Sequence, residues 1–151
     1  MIVSMVKYLQ NIIEGFPELI KSTSLSPAGD HLFDVREEDD RKVLQEEQAR
    51  KFHRTVAQLL FLCKRARLDI EPLVSFLTTR VKEPDEDDWG KLKHGLKYLK
   101  STLYMKRHMS AECLNIIRWW VDVSYGVHWD CKGHTRAMMS MGKGSIVNVS
   151  K

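Results

Sequence analysis

The sequence predicts an α+β fold in which a helical body precedes a β-meander, and three observations carry that prediction. Between residues 49 and 103 apolar side chains recur three and four positions apart, the period that lines them along one face of a helix. After Glu112 that period gives way to closely packed β-branched and aromatic residues, as in strands. Gly142, Lys143 and Gly144 then separate the last two strand-like runs with the chemistry of a tight turn. At 151 residues the chain is long enough for one core, since a single domain takes roughly 100 to 200 residues. Its 43% hydrophobic and 29% charged residues are those of an ordinary folded protein and exclude a disordered or fibrous one.

Met5, Val6, Leu9, Ile12 and Ile13 share one face, so residues 2 to 13 are expected to be helical, ended by Gly15 and Pro17. The Ser-rich stretch from Lys21 to Gly29 has turn residues and no period, and is read as an irregular connector. Asp34 to Gln48 is dominated by acids and is read as a solvated loop or helix start. Phe52, Val56, Leu59, Leu60 and Cys63 predict a helix over 49–65, and Ile70, Val74, Leu77 and Val81 a second one. Asp69 is the expected cap of that second helix, Pro72 fits its first turn, and Glu83 and Pro84 stop it. The acids Asp85 to Asp88 place negative charge where the next helix presents its unsatisfied N–H groups, which reads as capping rather than metal binding. Trp89, Leu92, Leu96, Leu99 and Leu103 make the third helix, with Lys91, Lys93, Lys97 and Lys100 expected on its exposed face. The run Ile116, Ile117, Trp119, Trp120, Val121 and Val123 is expected to be a buried strand, followed by strands over 134–141 and 145–150.

A net charge of +4 and a pI near 9.0 favour contact with an acidic polymer, though only mildly. The basic run of Lys91, Lys93, Lys97, Lys100, Lys106 and Arg107 holds no acid, and reads either as a solvated helix face or as a surface that tracks phosphates. Cys63, Cys113 and Cys131 are odd in number and far apart, so reduced thiols are expected rather than a disulfide framework. The opening residues carry no basic leader, and no run reaches the roughly 20 apolar residues of a membrane span, so a cytoplasmic or nuclear protein is expected. His128, Cys131 and His134, with Cys113 as a fourth ligand, have a zinc-like spacing. Three of these four lie within one inter-strand loop rather than on two knuckles, and a surface loop is the preferred reading.

Four spaced elements in residues 52 to 103 carry a family resemblance: Leu59 to Leu62, Arg-x-Asp-Ile at Arg67 to Ile70, Pro84 to Trp89, and Leu-x-Tyr-Leu-Lys-x-Thr at Leu96 to Thr102. In this order they resemble the C-terminal part of the reverse transcriptase in Ty1/copia-type retrotransposon polyproteins. Further on, Trp120, Val121, Asp122, Val123 and Ser124, then His134, Thr135 and Arg136, are similar to the start of the RNase H domain that follows it, with Arg136 where the family carries glycine. Weaker similarity covers residues 1 to 50.

The resemblance implies three segments: 1–50 the end of the polymerase palm and a connector, 51–109 a helical connection region, and 110–151 a truncated RNase H-like domain. The implied fold is a helical connection region followed by a three-stranded antiparallel β-meander opening an incomplete RNase H-like sheet. Asp122 would be the remnant of a catalytic Mg²⁺ site in which several carboxylates clamp two ions. The family's next acid, after a Ser-Ser-Thr-Glu stretch, is expected beyond Lys151. The polymerase hairpin Tyr-x-Asp-Asp does not occur, and the adjacent pairs Asp39-Asp40 and Asp87-Asp88 lie in hydrophilic charge runs. The implied partner of the basic run is an RNA/DNA hybrid or template-primer. The expectation is therefore a polyprotein fragment that is not an enzyme by itself and self-associates through exposed strands. The alternative is a domesticated nucleic-acid-binding or protein-interaction module.

Overall fold

The structure, a computed structural model, describes residues 1–126 and 133–150. Its helical part follows the apolar period closely. Helix α1 spans Val6–Glu14, α2 Glu46–Arg65, α3 Glu71–Thr79 and α4 Glu86–Ser101. The stripes face inward together: Phe52, Leu59, Leu62, Leu77, Leu92 and Leu96 have no measurable exposure. Each such side chain contributes roughly 1.5 to 3 kcal/mol relative to an exposed one.

The first 50 residues join the same core, with Leu9 and Ile12 entering from α1 and Phe16 and Leu32 from the segment after it. Phe16 stacks on Trp89 with ring centroids 4.9 Å apart. The helix expected from Ile2 begins only at Val6, because Ile2–Val3 forms a strand, β1, antiparallel to β2 at Arg107–His108. Residues 21–29 form no helix or strand, as their Ser and Gly content predicts.

The acidic run before α4 caps it. The Asp85 carboxylate accepts the Asp88 N–H at 2.8 Å, and Asp88 accepts the Asp85 N–H at 3.1 Å, a reciprocal capping box. Both acids are also buried against Arg80, and burial is the main force pushing the Asp88 carboxyl above its usual range. Asp69 differs from expectation. It caps nothing, because residues 68–70 coil into a tight 3₁₀ turn that runs directly into α3 and its carboxylate is held by Arg67 instead. Pro72 sits in the first turn of α3 as predicted, and that helix stops at Thr79, two residues before Val81.

Beyond the helices, β3 (Ser110–Ala111), β4 (Arg118–Ser124), β5 (His134–Ser140), β6 (Gly142–Lys143) and β7 (Val147–Ser150) complete the chain. Strands β4, β5 and β7 form a three-stranded antiparallel sheet in that order, the meander read from the sequence. The expected turn at 142–144 is partly extended, since Gly142 and Lys143 pair with Ala111 and Ser110. Glycine is required there twice. A Cβ on Gly142 would meet the Ser110 carbonyl oxygen at 2.5 Å, and Gly144 has φ +79° against the backbone of His108.

Side chains alternate across a sheet, so Trp120, Asp122, Arg136 and Met138 share the face whose His134, Ser140 and Ser150 are buried toward the helices, while Trp119, Val121 and Val123 belong to the other face. The strand expected to be buried is exposed along its whole length. Docking rests on Arg107, whose guanidinium donates to the carbonyls of Arg65 (3.0 Å), Ser145 (2.6 Å) and Ile146 (3.0 Å) and, at 3.4 Å, to that of Lys64. Ser75 Oγ donates to the Ser150 carbonyl at 2.9 Å.

Candidate functional site

Asp122 lies in the middle of β4, directly across from Arg136 on β5. Strand alternation turns it toward the helical body, where it lines a cavity of about 530 Å³ walled by Leu68, Pro72, Trp120 and Met138. Two more carboxylates, Asp69 and Glu71, stand on the facing wall, placed by the 3₁₀ turn and the first residue of α3. Both are engaged: Asp69 by the Arg67 guanidinium at 2.7 Å and Glu71 by the Lys64 ammonium. Among the described residues no three metal-ligating side chains come together. With an arginine opposite Asp122 and the nearest acids already paired, the residues present do not fit a two-Mg²⁺ cage. What this cavity presents is an aromatic and thioether wall with three carboxylates, two of them paired, and the Arg136 guanidinium.

The basic run is only partly a free surface, because the segment from Glu18 to Asp34 folds over the face of α4 expected to meet solvent. Lys93 pairs with Glu18 at 2.7 Å, and this contact, with a bond from the Trp89 indole N–H, holds the Glu18 carboxyl below its usual range. Lys91 pairs with Asp87 at 2.9 Å, donates to the Asp34 carbonyl and lies over the Phe76 ring. Lys100 donates to the Ile20 carbonyl, and Arg107 is occupied by the sheet docking described above. Lys97 and Lys106 alone of the six have no hydrogen-bond or ion-pair partner among the described residues. A second cavity, about 430 Å³ at the start of α4, shows the same self-satisfaction: its Arg36 pairs with Asp87, and His31 with Asp34 at 2.9 Å.

Of the zinc-like group, His128 and Cys131 lie outside the described residues. His134 is buried, shares a 2.7 Å hydrogen bond with Ser150 Oγ and sits against the Phe33 ring, while Cys113 is exposed. Cys63 is buried in α2, where desolvation chiefly raises its thiol to about 12 and keeps it protonated.

Arg67 is the residue that sequence reasoning left as a motif letter and the structure places at a junction. It joins Asp69, Thr102 and the Tyr98 ring, and its only signal was the Arg-x-Asp spacing. No helix among the described residues is long and apolar enough to cross a membrane. Compared with protein-family models, with curated proteins and with solved structures, the chain gave no match.

Proposed function

We propose that the chain is part of a Ty1/copia-type polyprotein, joining the end of a reverse transcriptase to the opening strands of an RNase H-like domain, and that it is not a nuclease or polymerase by itself. The observation that carries this reading is the ordered set of motifs from Leu59 to Thr102 followed by the Asp122 strand. Two features of the fold support it: the Arg67 to Ile70 and Leu96 to Thr102 motifs meet through Arg67 and Thr102, and Asp122 lies on an outer strand of an antiparallel meander. The test is to read the genomic DNA on both sides of the coding segment. A frame encoding Tyr-x-Asp-Asp upstream and Ser-Ser-Thr-Glu soon after the Lys151 codon is expected. Unrelated sequence on both sides, with neither motif in any frame, refutes the assignment.

In this reading the helical part contacts the backbone of an RNA/DNA hybrid through Lys97 and Lys106, the two cations of the basic run without a partner among the described residues. Each phosphate contact steepens the salt dependence by about one unit of slope. Reversing both charges, Lys97→Glu with Lys106→Glu, is expected to weaken hybrid binding about tenfold or more at low salt and to flatten that slope by roughly two units. Lys93→Gln, which removes an internally paired cation, is expected to change binding less than twofold. Equal losses from the two variants, or none from the double variant, would remove the basic run from the interface.

A second reading, a retained binding module, draws on one observation. Residues 1–50 and the three later helices share a single core, so the helical part is satisfied without any further chain.

A further inference from the structure

The β4-β5-β7 sheet is patterned in the opposite sense to one that ends in water. Its register lines up three cross-strand rows on the outer face: Trp119 with Met139 and Val147, Val121 with Ala137 and Val149, and Val123 with Thr135. Among the described residues no charged side chain occurs in these rows, and Thr135 is the sole polar one. On the opposite face the corresponding rows hold Arg118, Asp122, His134, Arg136 and Asn148. An antiparallel sheet with one solvated face ordinarily places its apolar residues toward the body and its polar residues toward water. Here the polar side is turned to the helices, while Trp119 remains 57% and Val121 66% exposed.

We propose that this outer face is the contact between two copies of the chain, stacked face to face about a two-fold axis. The inference does not depend on the polyprotein reading. It commits to a second copy for two reasons. An apolar surface with no charge among its described residues offers no handle for a charged partner, and its complement is another surface of the same kind, which the chain itself supplies; an isologous contact needs only self-complementarity. The area is also adequate. Together with Ile117 and Tyr125, which flank β4 and are exposed, the exposed apolar residues here present on the order of 700 Å² per copy, near the roughly 800 Å² of a standard interface. Two such sheets would stack about 10 Å apart with Trp119 interleaving between the valines opposite, giving a closed pair rather than a chain of copies.

Sedimentation of the full chain tests this. From about 1 to 100 μM the mass is expected to rise from 17.6 kDa to twice that value and no further. Thr135 is exposed and lies among the valines, so Thr135→Arg leaves the fold of a single copy intact, as its circular dichroism reports, while forcing like charges into the contact. That variant is expected to raise the dissociation constant about 100-fold. Trp119→Ser, which removes the largest exposed side chain instead of adding charge, is expected to weaken the pair as well. A wild-type monomer at about 100 μM, species growing without limit, or a pair untouched by Thr135→Arg would each overturn the proposal.

Discussion

Replacing Arg67 with methionine is expected to lower the unfolding free energy by about 3 kcal/mol. The guanidinium is 2% exposed and every edge is used. Nε donates to Asp69 Oδ1 at 3.0 Å, Nη2 to Asp69 Oδ2 at 2.7 Å and to Thr102 Oγ1 at 2.6 Å, and Nη1 to the Thr102 carbonyl at 3.0 Å. Its plane also lies near the Tyr98 ring, whose hydroxyl is raised above its ordinary pKa by burial first and by Asp69 second. Methionine keeps much of the volume and removes the guanidinium donors from Asp69 and from Thr102 at the end of α4. Asp69 is partly exposed and regains some water, which is why the lower part of the range for a broken buried pair applies. Arg67→Lys is expected to recover little, because an ammonium cannot serve a carboxylate and a carbonyl as a planar fork does. Urea unfolding of the three proteins measures this; a loss below about 1 kcal/mol for the methionine variant would show that the junction is not what holds α4 against the turn before α3.

The second large effect is expected at Asp85. Its carboxylate caps α4, stands 3.5 Å from both Arg80 Nη2 and Arg41 Nε, and is 3% exposed. Asp85→Ala removes the cap, worth about 1 kcal/mol, and also strips two largely buried guanidinium groups of a shared anion, for a total of about 3 kcal/mol. Arg41 Nε already lacks a well-directed hydrogen bond, so its attraction to Asp85 is Coulombic, while Nη1 keeps its own bond to Glu83 at 3.1 Å. Asp85→Asn is the discriminating companion. An amide oxygen can still accept the Asp88 N–H, so the asparagine variant is expected to recover the capping part and leave the charge part lost. Should the two variants unfold at the same urea concentration, the capping contribution would be nil; an asparagine variant as stable as the wild type would put the charge contribution at nil.

These two residues also show what the sequence made legible. The role of Asp85 followed from local chemistry, a run of acids placed directly before a periodic apolar run, and local chemistry persists in the fold. Arg67 and Asp69 could not be read that way. Asp69 looks like a cap, but the turn before α3 tightens and a buried cation two residues away claims it, an outcome set by Thr102 some 35 residues later. The helices were legible because burial stamps a period on them. The meander was legible because its residues are β-branched and aromatic and glycines punctuate it. Which face of the meander meets the body was not legible. Trp119 and Trp120 have the same composition signal, and only the pairing of Trp120 with Met138 above the cavity shows which one turns inward. The lysines of α4 illustrate the same limit: a periodic face says that lysines share a side, and cannot say that Glu18 and the Ile20 carbonyl will come to meet them.

The Arg107 clasp bears on how the chain comes apart. One planar cation gathers carbonyls from the end of α2 and from the loop before β7, so neither half can swing away without stranding acceptors on both sides of the joint. A latch of this kind makes partial opening costlier than the small area of contact between sheet and helices would dictate. Thermal loss of the meander and of the helical body is therefore expected as one transition in a melting curve, the strand that exposes its tryptophan to solvent borrowing its permanence from a helix terminus.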